Sequence, residues 1–301
     1  MKINYNFLLI GLCSLSIFSC KEDPNKNQKG RPETFDETPV QGTATVLVDE
    51  TIFPVIEDAE LVFESIYTKA NITLIPKSQN EIYLDLSKDE ERIAIMARDL
   101  DDSEIDYFKR IPVTPKRTHI ATDAIAFITS KTSNDTIIQY TEIEKILKGE
   151  ATDKKLYFDN SNSSTVQSLL KHFELTKIPS QNVFAAKSNK EVIENSTRDI
   201  NAIGIVGVNW LTQPGDLQSS VDKIKLLGIV KDSKVLKPNQ TDIMNKSYPF
   251  TRDIYIINIQ GKTGLGMGFA SYLGGQDGQR IILKAGLAPS RMPTREINIV
   301  K

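Results

Sequence analysis

The stretch Gly42-Thr43-Ala44-Thr45-Val46-Leu47-Val48-Asp49-Glu50-Thr51-Ile52-Phe53-Pro54 changes character twice. Ala44 to Val48 is a short apolar, β-rich run and reads as a buried strand. Asp49-Glu50-Thr51 is a polar turn. A helical pattern then runs from about Ile52 to Thr68, with Val55, Ala59, Val62, Phe63 and Ile66 at three- and four-residue steps. Strand, turn and helix start thus follow within one short segment.

The same alternation continues downstream. Strands are expected at 72–75, 92–97, 124–129, 156–158, 203–208, 224–229 and 253–259. A helical turn lies around 82–91. Helices are expected at 103–109, with Ser103 as cap and acidic residues in the first turn, at 141–148 ending at Gly149, and at 164–173. Leu265–Leu273 and Gly278–Ala285 read as closing helices. Such alternation predicts a mostly parallel sheet with helices on its faces. No repeat of fixed period is visible.

Upstream, Met1 to Ser19 reads as a signal sequence. Lys2 gives the positive start and Phe7 to Phe18 an apolar core too short to span a bilayer comfortably. Ile17 and Ser19 before Cys20 resemble the lipobox of bacterial lipoproteins, which implies cleavage before Cys20 and a lipid on its thiol. The rival is a plain secretory signal with an incidental Cys20. Cleavage would remove Cys13 and Lys2, leaving no pair of free cysteines for a disulfide. Lys21-Glu22-Asp23 is similar to a surface-export tag of some Gram-negative lipoproteins, or is plain solvated charge. Pro24 to about Gln41 reads as a flexible tether.

The chain has 301 residues, enough for two lobes of ordinary size. Lys+Arg is 37 and Asp+Glu is 39, a net charge of −2, so no basic footprint for nucleic acid is present. Two His and two Cys leave little for a His/Cys metal site, and the low count weakens Ser-His or Cys-His chemistry. No cofactor motif is complete. Gly261-Lys262-Thr263 lacks the Gly that a phosphate-binding P-loop needs at Ile256, and Gly264-x-Gly266-x-Gly268 is followed by Phe269 rather than the fingerprint Gly. His119 and His172 have no ligand partners nearby in sequence. Trp210 reads as packing.

Several segments, in order, resemble the periplasmic substrate-binding proteins of phosphate-type ABC importers. They are Gly42–Pro54, Ala97-Arg98-Asp99-Leu100-Asp101-Asp102-Ser103-Glu104, Thr122–Ile128, Ala202–Gly207, Tyr248-Pro249-Phe250-Thr251-Arg252-Asp253-Ile254-Tyr255-Ile256 and Gly278–Pro289. The match covers nearly the whole body. It implies an α/β fold of the type II periplasmic binding protein kind: two lobes, two crossover strands, and ligand in the cleft. The crossings fall near Asp123 and Arg252. Lobe I is then 43–123 plus 252–301 and lobe II 124–251, after a signal peptide at 1–19 and a lipidated linker at 20–42. The resemblance also implies no catalysis, no cofactor and no metal. Its expected partners are phosphate or a similar oxyanion, an ABC permease, and the membrane through Cys20. The expected location is the cell envelope and the expected state a monomer.

An oxyanion needs inward donors without a large unshielded charge, which helix-start amides, hydroxyls and an Arg supply. Three loops offer them. Thr51, with the Ile52 and Phe53 amides, either binds the anion or caps its own helix. Arg98 either reaches the ligand or pairs with Asp101 or Asp102; Ala97 stands where many relatives carry Ser. Asn162, Ser163, Ser164 and Thr165 resemble the family's Gly-Ser-Gly-Thr loop, or form a polar capping turn. Ser164 replaces a Gly there, Val166 an Arg, and no Arg precedes the loop. The Gly-rich turn expected near Ser78 is also missing. Asp99 is a candidate acceptor for a phosphate proton, and Asp123 reads as a hinge residue. The resemblance thus implies a lipid-anchored protein that captures phosphate or a similar oxyanion. The alternative is an accessory or interaction lipoprotein that keeps the fold and has lost anion binding. A hydrolase lacks its residues.

Overall fold

The computed structural model describes residues 37–111, 113–150 and 152–294. The leader, Cys20 and most of the tether lie outside the described residues. In chain order the main elements of the first half are β1 (Gln41–Asp49), α1 (Phe53–Ile66), β2 (Lys69–Lys77), α2 (Gln79–Ser87), β3 (Ile93–Met96), α3 (Asp102–Arg110) and β4 (Lys116–Ser130). Next come β5 (Ile137–Gln139), α4 (Tyr140–Leu147), β6 (Lys155–Phe158), α5 (Ser164–His172), β7 (Val183–Ala185), α6 (Asn189–Arg198), β8 (Ala202–Gly207) and α7 (Asn209–Thr212). The rest are α8 (Gln218–Val221), β9 (Ile224–Leu226), β10 (Gly228–Lys231), β11 (Lys234–Leu236), α9 (Gln240–Met244), β12 (Thr251–Asn258), α10 (Leu265–Leu273), α11 (Gln276–Lys284) and β13 (Ala288–Pro289).

The strand order is β2-β1-β3-β12-β4-β8-β6-β7. On one flank β2, β1 and β3 are parallel, and on the other β6, β7 and β8 are parallel. β12 and β4 run antiparallel between them. β4 serves both halves. Its residues up to Ala124 pair with β12, and Ile125 to Ile128 pair with β8. The two long strands therefore cross where Arg252 sits opposite Asp123 and Thr251 opposite Ala124. The result is a two-lobed periplasmic binding protein fold.

Both faces of each half-sheet are covered, so its strands read as continuous apolar runs. In β1, Val46 and Val48 face the large core while Leu47 faces α2 and α3. In β4, Ile125 and Phe127 face the large core while Ala126 and Ile128 pack with Val192 and Ile193 of α6.

Several elements differ from the sequence reading. β4 begins at Lys116, not Ala124, because its first residues are polar and exposed at one end. The expected strand 224–229 is two strands in different sheets, divided at Leu227, whose N–H donates to the Phe127 carbonyl at 2.8 Å. α6 escaped notice because its apolar stripe is only Val192 and Ile193; a Ser188 cap starts it. β5, β7 and β11 are too short to carry a pattern. The tether also ends before Gln41. Glu37 accepts from the Leu265 N–H at 3.0 Å, so a carboxylate sits on the first turn of α10 and ties the chain down.

Candidate functional site

Two strand-to-helix turns face each other where the long strands cross. In the first, Asp49 ends β1 and its carboxylate accepts from the Thr51 N–H at 3.0 Å and the Thr51 hydroxyl at 2.9 Å. This holds Thr51 at the entry to α1. In the second, Ser163 caps α5 by accepting from the Val166 N–H at 3.3 Å. That capping presents Ser164 and Thr165, both buried, at the helix start. The Thr51 and Ser164 hydroxyls meet across the gap at 2.8 Å.

Arg252 supplies the charge. Its Nη1 lies 2.9 Å from the Ser164 hydroxyl and 3.2 Å from those of Thr51 and Thr165. Its Nη2 donates to Asp123, and both side chains are essentially excluded from solvent. From the β8–α7 corner, Asn209 Nδ2 and Trp210 Nε1 donate to the Thr51 carbonyl at 3.1 and 2.9 Å. Gly207 makes this packing possible. A Cβ there would stand 2.7 Å from Asn209 Nδ2 and 3.2 Å from Arg252 Nη2.

The surroundings are acidic. Asp49, Asp123 and Asp159 are all fully buried around one guanidinium. Burial pushes the Asp123 carboxyl up against the pull of Arg252. Burial also raises Asp159 to about 6, opposed by hydrogen bonds from Ser163 and Asn160. Glu50 reaches about 7, first through burial and then through the charges of Asp159 and Asp49. Glu50 also accepts from Asn160 across the gap.

The junction forms the inner wall of a cleft of about 740 Å³. Arg98 and Asp99 line it, but both are engaged. Arg98 makes two bonds to Glu104 at 2.6 and 2.7 Å, rather than pairing with Asp101 or Asp102. Asp99 pairs with Arg117 at 2.8 Å. Asn162 is exposed in its turn and Ile52 is a core side chain. The structure thus brings Thr51, Ser163, Ser164 and Thr165 together and sets Arg98, Asp99 and Asn162 apart from them. Sequence reasoning took Arg252 only as a marker of the crossing, read Trp210 as packing and Glu50 as part of a polar turn, and passed over Asp159 and Asn209. The available signal was a charge directly before each of two apolar runs, Asp123 before Ala124–Ile128 and Arg252-Asp253 before Ile254–Ile257. Among the described residues no cluster of His, Cys, Asp and Glu could hold a metal ion.

The PBP superfamily domain profile matches residues 34–276. The phosphate-binding protein PstS of Borreliella burgdorferi is 27% identical over 225 residues, covering 69% of this chain and 75% of that protein. Among solved structures, one assigned as a phosphate ABC transporter substrate-binding protein with bound phosphate, from Clostridium perfringens, superposes with a TM-score of 0.70 at 17% identity. It is matched over 83% of this chain and 100% of its own. An ABC-type phosphate transport receptor from Vibrio cholerae gives 0.63 at 17% identity, with coverage of 83% and 100%. These relatives are solute-binding proteins and not enzymes. A profile spanning most of the chain, on a two-lobed body whose crossing strands carry a buried Arg–Asp pair, establishes that this chain belongs to the PBP superfamily.

Proposed function

We propose that this chain captures phosphate or a similar tetrahedral oxyanion between its lobes and presents it to an ABC permease. The observation that carries the reading is the convergence of three hydroxyls, from both sides of the gap, on the Arg252 guanidinium. The N-termini of α1 and α5 point at the same spot, which favours negative charge. Thr51, Ser164, Thr165 and Arg252 hold the anion. The Ile52 amide, Ser163 and Asn162 support the two turns, and Arg98 and Asp99 form the rim. The lobes divide as 43–123 plus 252–301 and 124–251. Cys20 carries the lipid that holds the protein, as a monomer, to the cell envelope. The extracytoplasmic role of the relatives supports this placement. No helix of the described residues is long and apolar enough to cross a membrane.

One observation favours the second reading, an accessory lipoprotein without anion binding. Thr51 and Ser164 bond each other directly, so an anion must displace that contact and also face the buried carboxylates. Calorimetry with phosphate, sulfate and molybdate decides between the two. Saturable binding that Thr51→Val weakens at least tenfold supports oxyanion capture. No heat with any of the three anions removes it and leaves the accessory reading.

A further inference from the structure

The crossing holds more negative charge than its one cation balances. Arg252 is the only Lys, Arg or His buried among the described residues. Asp49, Asp123 and Asp159 around it are all excluded from solvent. Glu50, half-buried on the β1–α1 turn, adds a fourth acid. An oxyanion seated beside Arg252 brings further negative charge to a place where water screens little. Like charges this close keep a proton on one of the acids.

The hydrogen bonds single out that acid. Asp49 accepts from the Thr51 N–H and hydroxyl at 3.0 and 2.9 Å, which suits a carboxylate. Asp123 has one unpaired oxygen, but the guanidinium bond on the other favours its ionised form. Asp159 has no such counter-charge bonded to it. Its Oδ2 accepts from Asn189 Nδ2 at 3.3 Å, and its Oδ1 is buried with no partner among the described residues. The neighbouring Asn189 Oδ1 is an unpaired buried acceptor as well. A carboxylate there adds acceptors where donors are short, whereas a carboxylic acid brings an O–H of its own. The charged groups facing Asp159 are Asp49 and Glu50 from the β1–α1 turn and Arg252 from β12. Ser163 of the α5 turn and Asn189 of α6 face it as neutral groups. Burial raises this carboxyl to about 6, and an anion on the adjacent hydroxyls moves it in the same direction.

We propose that anion capture is coupled to protonation of Asp159, which takes one proton from solvent as the anion seats on Thr51, Ser164, Thr165 and Arg252. Asp159 does not touch the anion; it compensates its charge from behind the α5 turn. This rests on the oxyanion reading above and names how that site is regulated. The occupied site holds the extra proton, so affinity falls as pH rises above about 6, by up to about tenfold per pH unit.

The test is calorimetry with inorganic phosphate from about pH 6 to about pH 8, on the wild-type chain and on Asp159→Asn. Phosphate titrates identically against both, so the ratio of variant to wild-type affinity isolates Asp159. That ratio is expected to rise about tenfold across the range, because the amide stays neutral at every pH. A constant or falling ratio, in a variant that circular dichroism shows to be folded, overturns the coupling and leaves oxyanion capture standing. If the variant does not fold, infrared difference spectra of the wild-type chain with and without phosphate decide. A carboxylic-acid C=O band that appears with phosphate and persists in Glu50→Gln supports the coupling, and its absence overturns it. Absence of phosphate binding by the wild-type chain at every pH overturns both proposals.

Discussion

Arg252 and Asp123 are each placed by a strand that has no choice of face. Asp123 sits in the fully buried run of β4, and Arg252 is its register partner on β12. Removing one member of such a pair leaves a buried charge without compensation, at a cost of about 3–5 kcal/mol. Arg252→Ala is therefore expected to lower stability by about that amount, measured by urea unfolding. Ser164 carries the finer control. Its hydroxyl accepts from Arg252 and donates to the Thr51 hydroxyl, whose own proton goes to Asp49. Ser164→Gly removes one of the hydroxyls gathered at Arg252 and is expected to weaken phosphate binding about tenfold, or about 1.4 kcal/mol, in titration calorimetry. Unchanged or tighter binding would show that the hydroxyl is a plug and not a ligand group.

At the scale of elements, the two facing turns bring acids together. Glu50 on one turn and Asp159 on the other have carboxyls raised to about 7 and about 6 by burial. Folding thus holds protons that the unfolded chain releases, so their contribution falls as pH rises from about 4 to about 7. Asp253 acts in the opposite sense. His119, with Thr122, holds it below its ordinary value, and its contribution is lost as pH falls below about 4. The melting temperature should peak on the acid side of neutrality. Glu50→Gln should flatten the decline between about pH 5 and 7, read by thermal melts across pH. The entry to α10 gives a second check at this scale. Glu37→Ala leaves the Leu265 N–H uncapped and should cost about 1 kcal/mol.

The whole molecule is joined at the crossing, so a reporter there should sense closure. The sequence has a single tryptophan, and its indole N–H bonds the Thr51 carbonyl across the gap. A ligand that separates or reseats the two turns changes the polarity around that indole. Addition of a bound anion should shift Trp210 emission with the same midpoint as calorimetry. A silent spectrum at saturating ligand would mean that binding leaves this latch untouched.

Local pattern was enough for the architecture. Apolar runs such as Val46 to Val48 and Ile125 to Ile128 could be read because both faces of the sheet are covered, and helix starts at Thr51 and Ser164 because capping is a short-range matter. Their candidacy as binding groups was legible for the same reason. The identity of the guanidinium was not. Arg98 lies just after a strand and Arg252 at the start of one, and nothing local says that Glu104 takes one while Asp123, far away in sequence, seats the other at the hydroxyls. That choice is made by strand register and burial, which exist only once β4 and β12 lie side by side.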